Sequence, residues 1–221
     1  LGDVYKRQGL ERPEVFAIPN CIIVSVTTPQ GHPITRMRRI PGHGTDIELL
    51  ERCNELCRRL CREVPPLPEA AEQVRKLGQD HRAYPTRILL LGYAAAAAFF
   101  TAFYGGTLLD TLCGGLCGLA VGLWMLWASP RLRFNNLFQT LIGAAIASLL
   151  ALILVHMGIG GQLEAITIGT LMVLVPGMAL TNAMREIMAG DIFSGLSRTA
   201  ESILTATAIA LGVMVSLAIG N

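Results

Sequence analysis

Five stretches of about twenty apolar residues follow one another in the second half of this 221-residue chain, and nothing constrains its fold more. They run over Thr86–Tyr104, Thr107–Ala128, Leu137–Met157, Ala165–Met184 and Ser202–Ile219. A helix needs roughly 20 such residues to cross a hydrocarbon core about 30 Å thick. Inside lipid, only structures that satisfy every backbone group internally survive. The charges are segregated to match. Residues 1–87 hold 14 of the 18 Lys and Arg and 11 of the 16 Asp and Glu, whereas residues 88–221 hold 4 and 5. The expected fold class is an α-helical integral membrane protein with five transmembrane helices, preceded by a small α+β cytoplasmic domain. Such a distribution excludes a soluble single-domain enzyme and a disordered chain. The net charge of +2, without a basic stripe, gives no footing for nucleic acid.

The connections between the apolar stretches set an orientation. Gly105-Gly106 and Gly158–Glu164 carry no Lys or Arg, whereas Ser129–Asn136 carries Arg131 and Arg133, and the stretch after Met184 carries Arg185 and Arg198. Basic residues are retained on the cytoplasmic side. The front domain and the 129–136 and 185–200 connections are therefore expected in the cytoplasm, with the last residues on the far side. Three domains are expected: a non-native segment at 1–8, a cytoplasmic α+β domain at 9–84, and a five-helix membrane domain at 86–221. Leu1–Gln8 matches nothing downstream, and no initiator Met precedes it.

In the front domain, Glu14–Thr28 is β-branched and apolar, interrupted at Pro19-Asn20, and Ile34–Ile40 alternates. With turn residues between them, the two predict a β-hairpin. Thr45-Asp46-Ile47-Glu48 has capping-box spacing. A helix is expected from Asp46 to Glu63 with Ile47, Leu50, Leu56 and Leu60 on one side, and a second over Pro68–Leu77. Cys53, Cys57 and Cys61 fall on one stripe of the first helix. At ~6 Å axial spacing they converge poorly on a metal, so they read as buried, reduced thiols rather than ligands. His32 and His43 read as solvated loop residues. No metal, cofactor or catalytic group is expected.

Polar groups inside the apolar stretches are few. Gly114, Gly118 and Gly122 form a small-residue stripe for close helix packing, within the chain or between subunits. Asp110 reads either as an interfacial acid or as a pathway acid, and His156 and Glu164 as boundary residues. Pro176-Gly177 breaks the fourth stretch, because proline takes the helical partner away from the Met172 carbonyl. A helix broken at membrane depth offers backbone dipoles to a ligand. Thr181, Asn182 and Arg185 follow, and a hydroxyl, an amide and a guanidinium suit a carboxylate. Pro176, Gly177, Thr181, Asn182 and Arg185 are therefore the expected substrate pathway. Asp110, Asp191, Arg198 and Glu201 are the gate or ion-coupling candidates, the last three also able to pair with one another.

The run LVPGMALTNAMREIMAGDIFSGLSRTAE, Leu174–Glu201, resembles the signature of the threonine/serine exporter family, N-terminal half, a group that includes bacterial dicarboxylate (succinate) exporter subunits. The resemblance implies ion-driven export of small carboxylate metabolites across the bacterial inner membrane, with no enzymatic step. It also implies a separate membrane subunit supplying a second half; the need for more walls than five helices give is equally met by a homo-oligomer. Members usually carry an amphipathic helix ahead of the hairpin, so native N-terminal sequence is expected to be missing from this stretch. The competing reading is a non-transporting scaffold or sensor whose cytoplasmic domain binds a ligand. A membrane hydrolase finds only Ser194 and Ser197, with no His nearby.

Overall fold

A computed structural model describes residues 11–18, 20–27, 31–40, 46–79, 84–128, 131 and 135–220, with side chains from Glu14 onward. The chain divides into two compact units, Leu1–Ala83 and Tyr84–Asn221.

The front unit holds a three-stranded antiparallel sheet, β1 (Glu11–Ile18), β2 (Cys21–Thr27) and β3 (Pro33–Arg39), in that order. The expected single hairpin is thus two. The stretch at Asn20, read as an interruption, is a turn between paired strands, and Asn20 O accepts the Ile40 N–H at 2.9 Å. Register sets Val24 opposite Val15 on one side and Arg36 on the other. One sheet face therefore carries Ile22, Val24, Val26, Ile34, Arg36 and Arg38.

Helix α1 (Ile47–Glu63) is capped by Asp46, whose carboxylate accepts the Leu49 N–H at 2.9 Å; Thr45 of the expected box lies outside the described residues, as does His43. Helix α2 (Leu67–Gln79) returns along it, and Leu56 and Leu60 pack with Ala70 and Leu77. Ile47 and Leu50, expected on that same buried side, are 61% and 68% exposed. Length explains this. Thirteen residues make a helix of about 20 Å, which reaches back only as far as the last three turns of α1. The cysteines are a second correction: all are reduced, but Cys53 is exposed and Cys57 and Cys61 only partly covered.

The second unit is helical: α3 (Thr86–Phe103), α4 (Leu108–Leu123, continued by a π-helical turn at Trp124–Ala128), α5 (Asn136–His156), α6 (Leu163–Leu171), α7 (Gly177–Met188) and α8 (Ile192–Gly220). Four helices are long and apolar enough to cross a membrane, namely α3, α4 with its π turn, α5 and α8. The fourth apolar stretch is not among them. It is two helices of 9 and 12 residues, about 14 and 18 Å, on either side of the Pro176 break. The fifth starts at Ile192 rather than Ser202 and runs for 29 residues.

Small residues decide which helices touch. Helix α4 lies antiparallel on α3, with Gly114 facing Thr101, Gly118 facing Ala97 and the Tyr93 carbonyl, and Gly122 facing the Tyr93 ring. The glycine stripe therefore packs inside the chain. Gly169 of α6 comes in on the other side of Thr101, where a Cβ would stand 2.6 Å from the Thr101 Cα. Thr101 is fully buried and returns its hydroxyl to the Ala97 carbonyl. Helices α5 and α8 make the other close pair. A Cβ on Gly212 would stand 2.9 Å from the Ala144 Cβ, and the Ser216 hydroxyl donates to the Ala145 carbonyl at 2.8 Å.

Candidate functional site

The pairing of Gly212 with Ala144 and Ser216 with Ala145 shows that α5 and α8 run parallel, offset by about 70 residues. Asn136, where α5 begins, therefore stands near residue 206 of α8. The first fourteen or so residues of α8, about 20 Å, reach past the end of α5. Helix α7 doubles back against this extension: Gly195 fits under the Ala183 carbonyl and Ile187. The turn between them uses Gly190 at φ +96°, a left-handed conformation suited to glycine. In the contacts between helices, α7 packs chiefly on α8.

The break lies deeper. Between Leu171 and Gly177 the helical ladder gives way to mostly shorter-range bonds, Val173 N–H to the Thr170 carbonyl, Leu174 N–H to Leu171 and Gly177 N–H to Val175, with one helical bond left from Val175 N–H to Leu171. Pro176 begins α7 with no side chain capping its first turn. N–H groups at such an end are unsatisfied within the helix and carry the positive end of its dipole. Leu174 reaches the same spot as Trp124 and Met125 of the π turn, all three bordering Gly143 of α5. The Trp124 indole N–H donates to the Gln139 carbonyl at 2.9 Å. Two irregular backbones thus meet at one level, seven residues inside the start of α5.

Beyond the break come the polar residues. Thr181 is exposed and bonds back to the Gly177 carbonyl, Asn182 is half-buried, and Arg185 is exposed one turn after Thr181. Thr181 and Arg185 share a face as expected, but both stand on the segment that runs beside the α8 extension. Asp191 is exposed in the turn. Arg198 forms an ion pair with Glu186. Its Nε lies 3.3 Å from Glu186 Oε1, an ionic contact rather than an aligned hydrogen bond, and the Ser194 hydroxyl donates to Glu186 Oε2 at 2.8 Å. Glu186 was not singled out in the sequence, because only the folded α7–α8 hairpin brings it opposite Arg198. Glu201 is exposed, and it too is engaged rather than free.

Asp110 sits at the opposite end of the unit and is fully buried within the chain. Its Oδ2 accepts the Thr107 N–H at 2.9 Å and the Thr107 hydroxyl at 2.7 Å, while its Oδ1 accepts the N–H groups of Gly161 at 2.7 Å and Gln162 at 3.2 Å. The carboxylate joins the start of α4 to the α5–α6 turn. Thr107-x-x-Asp110 is a capping-box spacing legible in the sequence; the long-range half of its partners is not. No group of three or more His, Cys, Asp or Glu fit to hold a metal occurs among the described residues.

A broken apolar helix followed by a hydroxyl, an amide and a guanidinium invites comparison with known transport proteins. The family profile ThrE, "Putative threonine/serine exporter", matches residues 1–220. The chain belongs to the threonine/serine exporter family. It is 25% identical over 203 residues to a "Probable threonine/serine exporter" of Mycobacterium tuberculosis, covering 91% of this chain and 38% of that protein. It is also 22% identical over 225 residues to an uncharacterized protein of Schizosaccharomyces pombe, covering 95% of this chain and 26% of the relative. "Pheromone-regulated membrane protein 10" of Yarrowia lipolytica is 21% identical over 202 residues, 89% of this chain and 16% of its own length. The chain thus spans well under half the length of the curated relatives it matches. No solved structure matches it. For an exporter-family member, the break at 172–176 and the α7–α8 hairpin are the natural place to look for chemistry. They unite the expected substrate-pathway residues with Arg198 and leave Asp110 at the other end.

Proposed function

We propose that this chain is one membrane subunit of a secondary exporter of small carboxylate metabolites, and that it works with a second membrane half. L-Threonine and L-serine are the first substrates to test, and dicarboxylates such as succinate the next. The observation that carries the reading is the uncapped start of α7 at Pro176-Gly177, followed by Thr181, Asn182 and Arg185. N–H groups at a helix start attract a carboxylate, and a guanidinium one or two turns on can neutralise it. The arrangement offers no activated nucleophile, so the chemistry it favours is binding and release rather than a reaction.

On this reading α6, the break and the start of α7 together make the fifth crossing, although neither helix alone is long enough. The bilayer is the bacterial inner membrane. Arg87, Arg131, Arg185 and Arg198 all stand toward the α7 end of the helices, whereas the turns at 104–107 and 157–162 have no basic residue. That asymmetry supports a cytoplasmic front unit. Arg131 caps Trp127 there, its guanidinium 4.3 Å from the ring centre, the pairing of amphipathic side chains found at a membrane boundary.

The test is export from proteoliposomes loaded with labelled threonine, serine or succinate, with both halves present. Pro176→Leu and Arg185→Ala are each expected to reduce export at least tenfold. Unchanged export in both variants would refute the site. A second reading, ligand sensing by the front unit, draws on the hollow lined by Ile22, Val24, Val26, Ile34, Arg36, Met37 and Arg38. An amphiphilic anion bound there by the whole chain, with no flux of any of the three solutes, would favour it.

A further inference from the structure

The membrane unit is built as two three-helix groups whose fastenings differ at the two ends. Helices α3, α4 and α6 converge on Thr101, with Gly114 on one side and Gly169 on the other. Helices α5, α7 and α8 are joined through Gly212, Ser216, Gly195 and the Glu186–Arg198 pair. The groups meet where α5 lies in the groove between α4 and α6, along Cys113, Cys117, Ala151, Leu154 and Ile166. That seam holds apolar and thiol side chains and, among the described residues, no ion pair, so sliding along it breaks few directional contacts.

At one end the seam is pinned. Asp110, in the first group, takes two N–H groups from the turn that leaves α5, so the turn cannot separate from α4 without exposing a buried carboxylate. Leaving a buried charge unpartnered is far costlier than any single apolar contact across the seam. At the other end the groups share the neutral hydrogen bond from the Trp124 indole to the Gln139 carbonyl, and among the described residues no buried carboxylate joins them. There the chain crosses between them near the π turn Trp124–Ala128 and through the break at 172–176, and both irregular backbones border Gly143. Hinges form where the backbone ladder is already interrupted, and π turns recur at functional places in helices.

We propose that the two groups rock against each other about Asp110, which acts as a positioning residue. Opening occurs at the Trp124 end through flexing at Met172–Pro176 and the π turn. The motion carries Thr181, Asn182 and Arg185 with the second group while α6 stays with the first, so the uncapped start of α7 is alternately covered and uncovered. Its purpose rests on the transport reading, but the motion is measurable without transport.

The experiment is distance measurement between spin labels on the full chain in lipid nanodiscs. One pair, Ile88→Cys with Met188→Cys, spans the groups at the Trp124 end. The other, Leu108→Cys with Ile219→Cys, spans them at the Asp110 end; all four positions are exposed. The native cysteines are replaced by alanine or serine. The first pair is expected to give two distances several Å apart, and the second a single narrow one. Asp110→Asn, which offers one carboxyl-type oxygen in place of two, is expected to broaden the second pair while the protein remains folded by gel filtration. Thr107→Val removes one of the four donors and serves as the milder variant, with a smaller broadening. A single distance at the Trp124 end, equal spread at both ends, or a narrow second pair in both variants would overturn the proposal. Two distances whose ratio shifts with threonine, serine or succinate support both rocking and export. Two distances that ignore all three solutes support rocking and count against that substrate class.

Discussion

At the scale of single residues, the membrane unit depends on side chains that are absent. Gly114 and Gly115 are neighbours, yet a Cβ on Gly115 meets only ordinary contacts at 3.5 Å or more, whereas one on Gly114 runs into Thr101. Gly114→Ala is expected to cost roughly 1–3 kcal/mol, the range for overpacking, and Gly115→Ala close to nothing. Thermal unfolding of the two variants in detergent reads the difference. Gly169→Ala belongs with Gly114, because besides the Thr101 hydroxyl it meets Thr101 backbone, which cannot swing aside. Charge contributes less. The Glu186–Arg198 side chains are 23% and 36% exposed, and water screening limits such a pair to about 0–1 kcal/mol. A double-mutant cycle with Glu186→Gln and Arg198→Gln is therefore expected to give a coupling under about 1 kcal/mol, with any larger effect falling on flux. In the front unit, Arg75 beside Glu72 holds that carboxyl below its usual range. The contribution is present above the ordinary Glu pKa and fades as pH falls through the lowered one; full solvent exposure keeps it slight.

Among the elements, helix existence was readable and helix ends were not. Apolar length located α3, α4 and α5 to within a few residues, because a lipid-facing helix is apolar all round and needs no partner to reveal it. The same criterion overran at the fourth stretch. Hydropathy treats Leu171–Gly177 as continuous, while the backbone there forms turns. It also began α8 ten residues late, because Arg198 and Glu201 look like loop residues until α7 is seen packed beside them. Of the candidate site, the break and its polar sequel could be read from Pro176, Gly177, Thr181, Asn182 and Arg185. The partners of Asp110 and Arg198 could not, since one lies 51 residues away and the other across an unpredicted hairpin. Two element-level expectations follow. Pro176→Ala restores the N–H that the Met172 carbonyl lacks, so amide exchange over residues 173–178 is expected to slow several-fold. Asp46→Ala removes the cap of α1 and is expected to cost about 1 kcal/mol, seen as faster exchange in its first turn.

For the whole molecule, exposure and orientation make a single forecast. Cys53 is exposed, whereas Cys113 and Cys117 are buried between helices. A membrane-impermeant maleimide is expected to label Cys53 in inside-out vesicles and not in intact cells, while Cys113 and Cys117 stay unlabelled from either side until the protein is denatured. Labelling of Cys53 in intact cells would invert the assigned orientation. The length of α8 carries a mechanical consequence of its own. A 29-residue helix is about 43 Å of stiff rod, fastened to α5 by Gly212 and Ser216 in its last third and carrying α7 at its free end. Such a rod is a lever with a short arm and a long one. A tilt of about 10° at the fastened end sweeps the far tip through roughly 5–7 Å, close to the width of an amino acid, with no helix bent along the way.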